Sequence, residues 1–428
     1  MADLVIKGGT VLDATGERVA DVLVRGGHVV EVGAGLRGDE TLDATGCIVT
    51  PGLVDVHVHL REPGMEEAET VETGARAAAL GGYTAVVAMP NTTPATDDPV
   101  VVRAVQSLAR NACCEVASSG AITRGRKGEE LAPLGEMHAL GVRIFTDDGD
   151  CVADAGVMRR ALEYSRMLPG AVISQHAEDP DLVAGGAMHE GEWSSRLGIP
   201  GRPAAAEEVI VARDVILAGL TGARVHFQHV STAGAVELVR QAKARGLAVT
   251  AEAAPHHFTL TDECCASFDP AFKVNPPLRT AVDLAAIKAG LADGTIDCVA
   301  TDHAPHPPEA KERPFAEAPS GMLGLETALA LVWDELVEPG VLTPAQAFAA
   351  CSWNPAAIAG LGHHGGPVVG DAPANLCVFD PGLRWEVDAA RLASRARNTP
   401  YAGRRMTGKV RHTVLAGEVV VRDGAATR

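Results

Sequence analysis

The sequence predicts an α/β protein: a (β/α)8 TIM barrel with a small β-sandwich domain formed by the N- and C-terminal segments. Three observations point there. Eight apolar, strand-like runs alternate with Ala-rich helical stretches through the middle of the chain, the rhythm of a closed parallel barrel. Residues able to bind metal or move protons close six of those eight runs, and strand C-termini are where a barrel places its chemistry. Short alternating segments broken by glycine turns occupy both ends of the chain. A doubly wound open sheet also alternates strand and helix, but it usually needs a Gly-rich phosphate loop after its first strand, and none follows the run Leu53–His59.

From the N-terminus, "DLVIKGGTVLD", "VADVLVRGGHVVEVG" and "ETLDATGCIVT" read as short antiparallel strands. From about residue 366, "ANLCVFDP" and "GKVRHTVLAGEVVVRDG" read alike. Residues 1–50 and 366–428 are therefore expected to pair into one composite β domain, leaving 51–365 for the barrel. The barrel strands are expected at Leu53–His59, Tyr83–Met89, Glu115–Ala121, Val142–Thr146, Ala171–His176, Arg224–Val230, Leu247–Ala254 and Ile296–Thr301. Stretches such as "ETVETGARAAALG" and "AEEVIVARDVILAGL" supply the helices between them. Only 4% of residues are aromatic, so the core has to be built from Ala, Val and Leu.

Composition narrows the function. Of the 428 residues, 46% are hydrophobic and 21% charged, as in soluble globular proteins. The net charge of −18 argues against nucleic acid, because nothing would neutralise a phosphate backbone. The nine cysteines are scattered and form no CxxC pair, so neither a disulfide framework nor a structural zinc site is suggested. No apolar signal core opens the sequence and no run approaches a membrane span, so the expected setting is a reducing cytoplasm.

The chemistry starts at "LVDVHVHL". Side chains alternate along a strand, so Leu53, Asp55, His57 and His59 share one face, which would point into the barrel mouth. Paired core histidines satisfied by hydrogen bonds would also explain HxH alone. That explanation weakens once Asp148, His176, His229 and Asp302 are found at equivalent depths on other strands. A catalytic zinc takes about three protein ligands, so six suggest two divalent ions, with zinc expected. One carboxylate would bridge them, and a shared hydroxide would drive metal-assisted hydrolysis.

"DVHVHLREPG", "AMPNTTP", "FTDDG", "QHAED", "QHVST", "KVNPPLR", "ATDHAPH" and "SGMLGLET" occur in that order between residues 55 and 327. Together they resemble the type I dihydroorotases of the amidohydrolase superfamily. The resemblance implies reversible cyclisation of N-carbamoyl-L-aspartate to (S)-dihydroorotate, the third step of pyrimidine synthesis. It implies that His57 and His59 bind one ion, that His176 and His229 bind a second, and that Asp148 bridges them. Spacing leaves Asp147 open as the bridge. Asp302 would be both ligand and general base/acid. Arg61, Asn91 and His306 would hold the substrate carboxylate, His59 would also touch substrate, and Asn275 with the backbone of Ser320 and Gly321 would hold the ring amides. Allantoinases and hydantoinases share the barrel and HxH, whereas "MPNTTP" and an Asp bridge favour dihydroorotase. A non-catalytic barrel scaffolding a transcarbamoylase would have lost ligands, and none is missing. A homo-oligomer is expected, with docking to aspartate transcarbamoylase.

The proline-rich stretch His303–Ser320 is expected to be a lid over bound substrate. His256 and His257 are expected to be structural or to stand behind the ligands. His226 should face the opposite side of its strand and pack there. His363 and His364 lie in a Gly-rich linker and should face solvent, and Cys151 should be a buried bystander.

Overall fold

The apolar runs of the central chain form eight parallel strands in a computed structural model that describes residues 3–428. These are Leu53–Val58, Tyr83–Ala88, Glu115–Ser118, Ile144–Phe145, Val172–Gln175, Val225–Phe227, Val249–Ala253 and Cys298–Val299. The first three pair in one sheet and the last five in another. Single parallel bridges, Gly120 with Phe145 and Val58 with His303, close the two seams. At the second seam the N–H of His59 donates to the carbonyl of His303 at 2.9 Å. Closure leaves no open edge on the barrel.

Each strand stops short of its expected end, and the reason is functional geometry. His59, His176, His229 and Asp302 lie just past the ladder, where the backbone leaves the pleat and curls over the barrel mouth. His229 (φ 29°) and Asp302 (φ 47°) even adopt left-handed backbone, a cost seldom accepted except where a side chain must be aimed.

The helices follow from the Ala-rich stretches. Val71–Leu80 opens on a capping box between Thr70 and Thr73, which satisfies its free amide groups. Its Ala75, Ala77, Ala78 and Ala79 are fully buried. Small side chains let the helix layer approach the strands closely, so few aromatics are needed to fill the core.

The two ends of the chain meet as the sequence suggests. Leu376–Glu386 pairs antiparallel with Ile48–Pro51, within a seven-stranded sheet that also holds Thr10–Asp13, Gly16–Val19, Arg405–Leu415, Glu418–Arg422 and Ala425–Ala426. A four-stranded sheet of His28–Gly33, Asp21–Arg25, Leu4–Lys7 and Glu40–Asp43 completes the sandwich. Ile6, Val22, Val49, Leu376, Val378 and Val414 form a buried cluster separate from the barrel core. The expected antiparallel pattern is incomplete. Leu4–Lys7 pairs parallel with Glu40–Asp43, and Thr10–Asp13 parallel with Ile48–Pro51. Alternation along one strand says which face is buried, not the direction of its neighbour. Among the described residues no helix is long and apolar enough to cross a membrane.

Candidate metal centre

Six side chains from five strands converge under the barrel mouth. Asp148 Oδ1 lies 3.2 Å from His57 Nε2 and 3.6 Å from both His176 Nδ1 and His229 Nε2. Its Oδ2 lies 3.4 Å from His59 Nε2. Asp302 Oδ1 is 2.9 Å from His59 Nε2 and 3.5 Å from His57 Nε2. Two sets result: His57, His59 and Asp302 on one side, His176 and His229 on the other, with Asp148 between. All six residues are buried. Asp147 points away, accepting the Thr123 amide at 2.9 Å and the Thr123 hydroxyl.

The donor set fits divalent metal ions. His57 Nε2 is fully buried and has no hydrogen-bond partner among the described residues, although two carboxylates stand within 3.5 Å. His176 Nδ1 and His229 Nε2 face each other at 2.9 Å, a spacing at which two nitrogens can share only one proton. The far sides of the rings are held in the manner of metal ligands. Nδ1 of His57 meets Glu252 Oε1 at 2.6 Å, and Nδ1 of His59 meets Asn91 Oδ1 at 2.9 Å. With both Nδ1–H groups donating, both Nε2 lone pairs face inward.

Burial works against charge here: at His59 it prevails and lowers the imidazole pKa, whereas at His57, His176 and Asp148 charged partners outweigh it. Asp148 and Glu252 hold His57 well above the ordinary imidazole pKa, and Asp148 and Glu178 raise His176 to about 9. The same pairings, with His57 foremost, hold Asp148 well below the usual carboxylate range. Protonated His57 and His176 are therefore expected to stabilise the metal-free cluster. A raised imidazole pKa contributes stability that is complete below the unfolded value of about 6.5 and is lost as pH rises through the folded value. The thermal midpoint of metal-stripped protein is expected to fall between pH 6.5 and 9 by this contribution. Calorimetry across that range checks it, and a flat or rising midpoint would contradict it.

Above the cluster opens a cleft of 220 Å³. His59, Arg61, Asn91, Asp148, His176, His229, Asn275, Asp302, His306, Ser320 and Gly321 all line it, whereas His57 lies beneath. Arg61 has left-handed backbone (φ 63°) and is buried; its Nε donates to the Pro305 carbonyl at 3.1 Å. The neighbouring Glu62 accepts the Val71 amide at 2.9 Å. Asn275 is less free than expected. Its amide oxygen accepts from Arg202 at 2.5 Å and its amide nitrogen donates to Glu178 at 3.0 Å. The Gly321 N–H is taken by the Lys273 carbonyl at 2.9 Å, and its carbonyl accepts from Asn398 at 3.1 Å. His306 Nε2 donates to the Ser320 carbonyl at 2.8 Å. The loop above is pinned by Lys311, whose Nζ reaches the carbonyls of Pro270, Lys273 and Pro319 at 2.9, 3.3 and 2.8 Å.

Some placements differ from expectation. His226 does not face away from the site: its Nε2 donates to Glu252 Oε2 at 3.0 Å, which joins it to His57 through one carboxylate. His229 breaks alternation with its left-handed φ, so counting by twos from it misplaces His226. His364 is buried rather than facing solvent, and bonds to Thr84 and Glu115. Cys151 is partly exposed, and burial pushes its thiol up to about 12. Glu252, Glu178 and Arg202 escaped the sequence reading. Glu252 left one faint trace, a lone carboxylate in the apolar run "LAVTAEAA".

A parallel barrel with imidazoles and carboxylates gathered at its C-terminal rim defines a metal-dependent hydrolase. Comparison with known proteins narrows the class. The profile of the Dihydro-orotase-like family matches residues 46–235. A dihydroorotase of Pelotomaculum thermopropionicum is 53% identical over 424 residues, covering 98% of this chain and 99% of the relative. One from Streptomyces coelicolor is 51% identical over 432 residues, covering 100% of both, and one from Mycobacterium tuberculosis 50% over 415 residues, covering 96% of both. Among solved structures, the L-hydantoinase (dihydropyrimidinase) of Arthrobacter aurescens superposes with a TM-score of 0.90 at 27% identity, covering 100% of this chain and 98% of that one. The chain belongs to the dihydroorotase family and is a metal-dependent cyclic amidohydrolase.

Proposed function

We propose that the chain works as a type I dihydroorotase, interconverting N-carbamoyl-L-aspartate and (S)-dihydroorotate in the cytoplasm. The observation that carries this reading is the convergence of His57, His59, Asp148, His176, His229 and Asp302 beneath a cleft that also holds Arg61, Asn91 and His306. Full-length identity near 50% to dihydroorotases supports it. Nine free cysteines suit a reducing compartment.

Two divalent ions, with zinc expected, would be held by His57, His59 and Asp302 and by His176 and His229, with Asp148 between. When bound, such ions polarise the scissile carbonyl and lower the pKa of water toward about 7. The protein's own groups do the rest. Asp302, 2.9 Å from His59, takes the proton of the attacking water and delivers it to the departing ring nitrogen. In the cyclising direction the same oxygen removes a proton from the ureido nitrogen. His59 is held by Asn91 and would meet the substrate as well as hold metal. The Arg61 guanidinium offers the substrate carboxylate a planar pair of donors, with Asn91 and His306 beside it. Asn275, Ser320 and Gly321 border the ring amides.

Arg61→Ala removes binding rather than chemistry, so KM is expected to rise by about two orders of magnitude with kcat changed far less. Steady-state kinetics in both directions reads this; an unaltered KM would place the carboxylate elsewhere. Residues 303–320 are proposed to act as a lid over the cleft. Hydrogen exchange across them should slow when carbamoyl aspartate binds, and unchanged exchange removes the lid.

The separate apolar core supports assigning 1–50 and 366–428 to a composite β domain and 51–365 to the barrel. Self-association is supported by an exposed apolar stripe, Val209, Ile216 and Leu220, on one face of the helix Ala205–Thr221. Docking to aspartate transcarbamoylase remains part of the proposal. The deciding assay compares turnover of carbamoyl aspartate and dihydroorotate with ring opening of allantoin and a 5-substituted hydantoin. Turnover of the first pair alone is expected, and preference for a hydantoin would overturn the reading.

A further inference from the structure

Two adjacent histidines and an acid from a distant part of the sequence meet on the opposite rim of the barrel. Glu115 opens the third barrel strand, so it lies at a strand N-terminus, away from the cleft. His363 and His364 follow the helix Asn354–Ala359 on the way to the composite β domain. Both Nε2 atoms reach one oxygen: Glu115 Oε2 is 2.6 Å from His363 and 3.0 Å from His364. The rings stand 4.6 Å apart at 54°. Neighbouring side chains usually diverge, but a turn from the His364 amide to the Leu361 carbonyl (2.9 Å) brings both rings to one side.

We propose that Glu115, His363 and His364 form a metal site separate from the catalytic centre, taking one borderline divalent cation of the zinc kind. Three potential ligand atoms lie within 4.8 Å of one another. Around a tetrahedral zinc, bonds near 2.0–2.1 Å put neighbouring ligands roughly 3.3 Å apart, so the 2.6 and 3.0 Å nitrogen–oxygen distances need to open by about 0.7 and 0.3 Å. Two imidazoles with one carboxylate suit zinc, copper or nickel better than magnesium or calcium, which prefer all-oxygen sites.

The surroundings match the roles. The His364 side chain is wholly buried, and its Nδ1 lies 2.9 Å from the Thr84 hydroxyl. That hydroxyl can accept from Nδ1–H, which leaves the Nε2 lone pair for the cation and fixes the ring plane. The His363 carbonyl accepts from Asn375 Nδ2 at 2.9 Å, anchoring the turn. The side chains of His363 (51% exposed) and Glu115 (39%) leave an entry path and room for water as the fourth ligand. A bound ion would clip the linker to a strand 248 residues earlier in sequence, fastening the composite domain to the base of the barrel.

The test uses the enzyme with its catalytic centre already loaded. Wild type and His363→Ala are dialysed against micromolar free Zn²⁺, and bound metal is counted by mass spectrometry. His363 is half exposed, so its loss leaves folding intact. Wild type should hold one more ion per chain than the variant, and added Zn²⁺ should raise its thermal midpoint but not the variant's. Glu115→Gln should bind the extra ion at least tenfold more weakly, read from cobalt absorption during Co²⁺ titration. Equal metal content in wild type and His363→Ala, with equal thermal response, overturns the site and leaves the cluster an ordinary ion pair.

Discussion

Asp302→Asn is expected to abolish turnover in both directions while leaving the fold intact. Asn is nearly isosteric with Asp and tolerates the left-handed backbone found at Asp302 (φ 47°), so the substitution adds no strain. What disappears is a group able to take and return a proton. Positioned general acid–base groups contribute about 10²–10⁴ in rate, and a metal ligand is weakened at the same time. A loss of at least about 10³-fold in kcat is therefore expected, with the thermal midpoint unchanged within a few degrees. Progress curves from both substrates and a melting scan check this together. Activity within tenfold of wild type would remove Asp302 from the proton path.

Asp148→Asn is expected to empty the centre. The carboxylate stands within 3.6 Å of ring nitrogens on His57, His59, His176 and His229, and so touches both halves of the cluster. The amide keeps the shape but lacks the negative charge that would balance divalent cations in a buried site. Metal content should fall by at least one ion per chain relative to wild type, and turnover by at least about 10²-fold, in line with losing ligand and charge together. Asp147→Asn is the control. That carboxylate faces Thr123, so its variant should keep its metals and most of its rate. If the Asp147 variant lost metal and the Asp148 variant did not, the bridge assignment would be reversed.

The legibility of the site differs sharply from residue to residue. His57 and His59 were readable because alternation in an otherwise apolar strand leaves two imidazoles on one face. Asp148, His176, His229 and Asp302 were readable because each ends a strand-like run, and runs of a barrel end at one rim. Glu252 was not, because a single glutamate inside a strand carries no mark of its partner. Its partners, His57 Nδ1 and His226 Nε2, lie 195 and 26 residues away in sequence. Arg202 and Glu178 were hidden likewise in the connections between barrel strands, where no periodicity links a residue to the cleft it borders.

From its sequence alone, the chain determined its strand and helix rhythm, the joining of its two ends, and which ligand-type side chains reach the barrel mouth. These follow from local periodicity and from hydrophobic faces that must be covered. Only the tertiary structure turned Asp148 toward the histidines and Asp147 toward Thr123, turned His226 toward Glu252, buried His364, and set parallel against antiparallel pairing in the small domain. Each of those outcomes depends on the direction of one side chain or strand relative to another far away in sequence. Closing the barrel settles such directions together, and no local pattern encodes them.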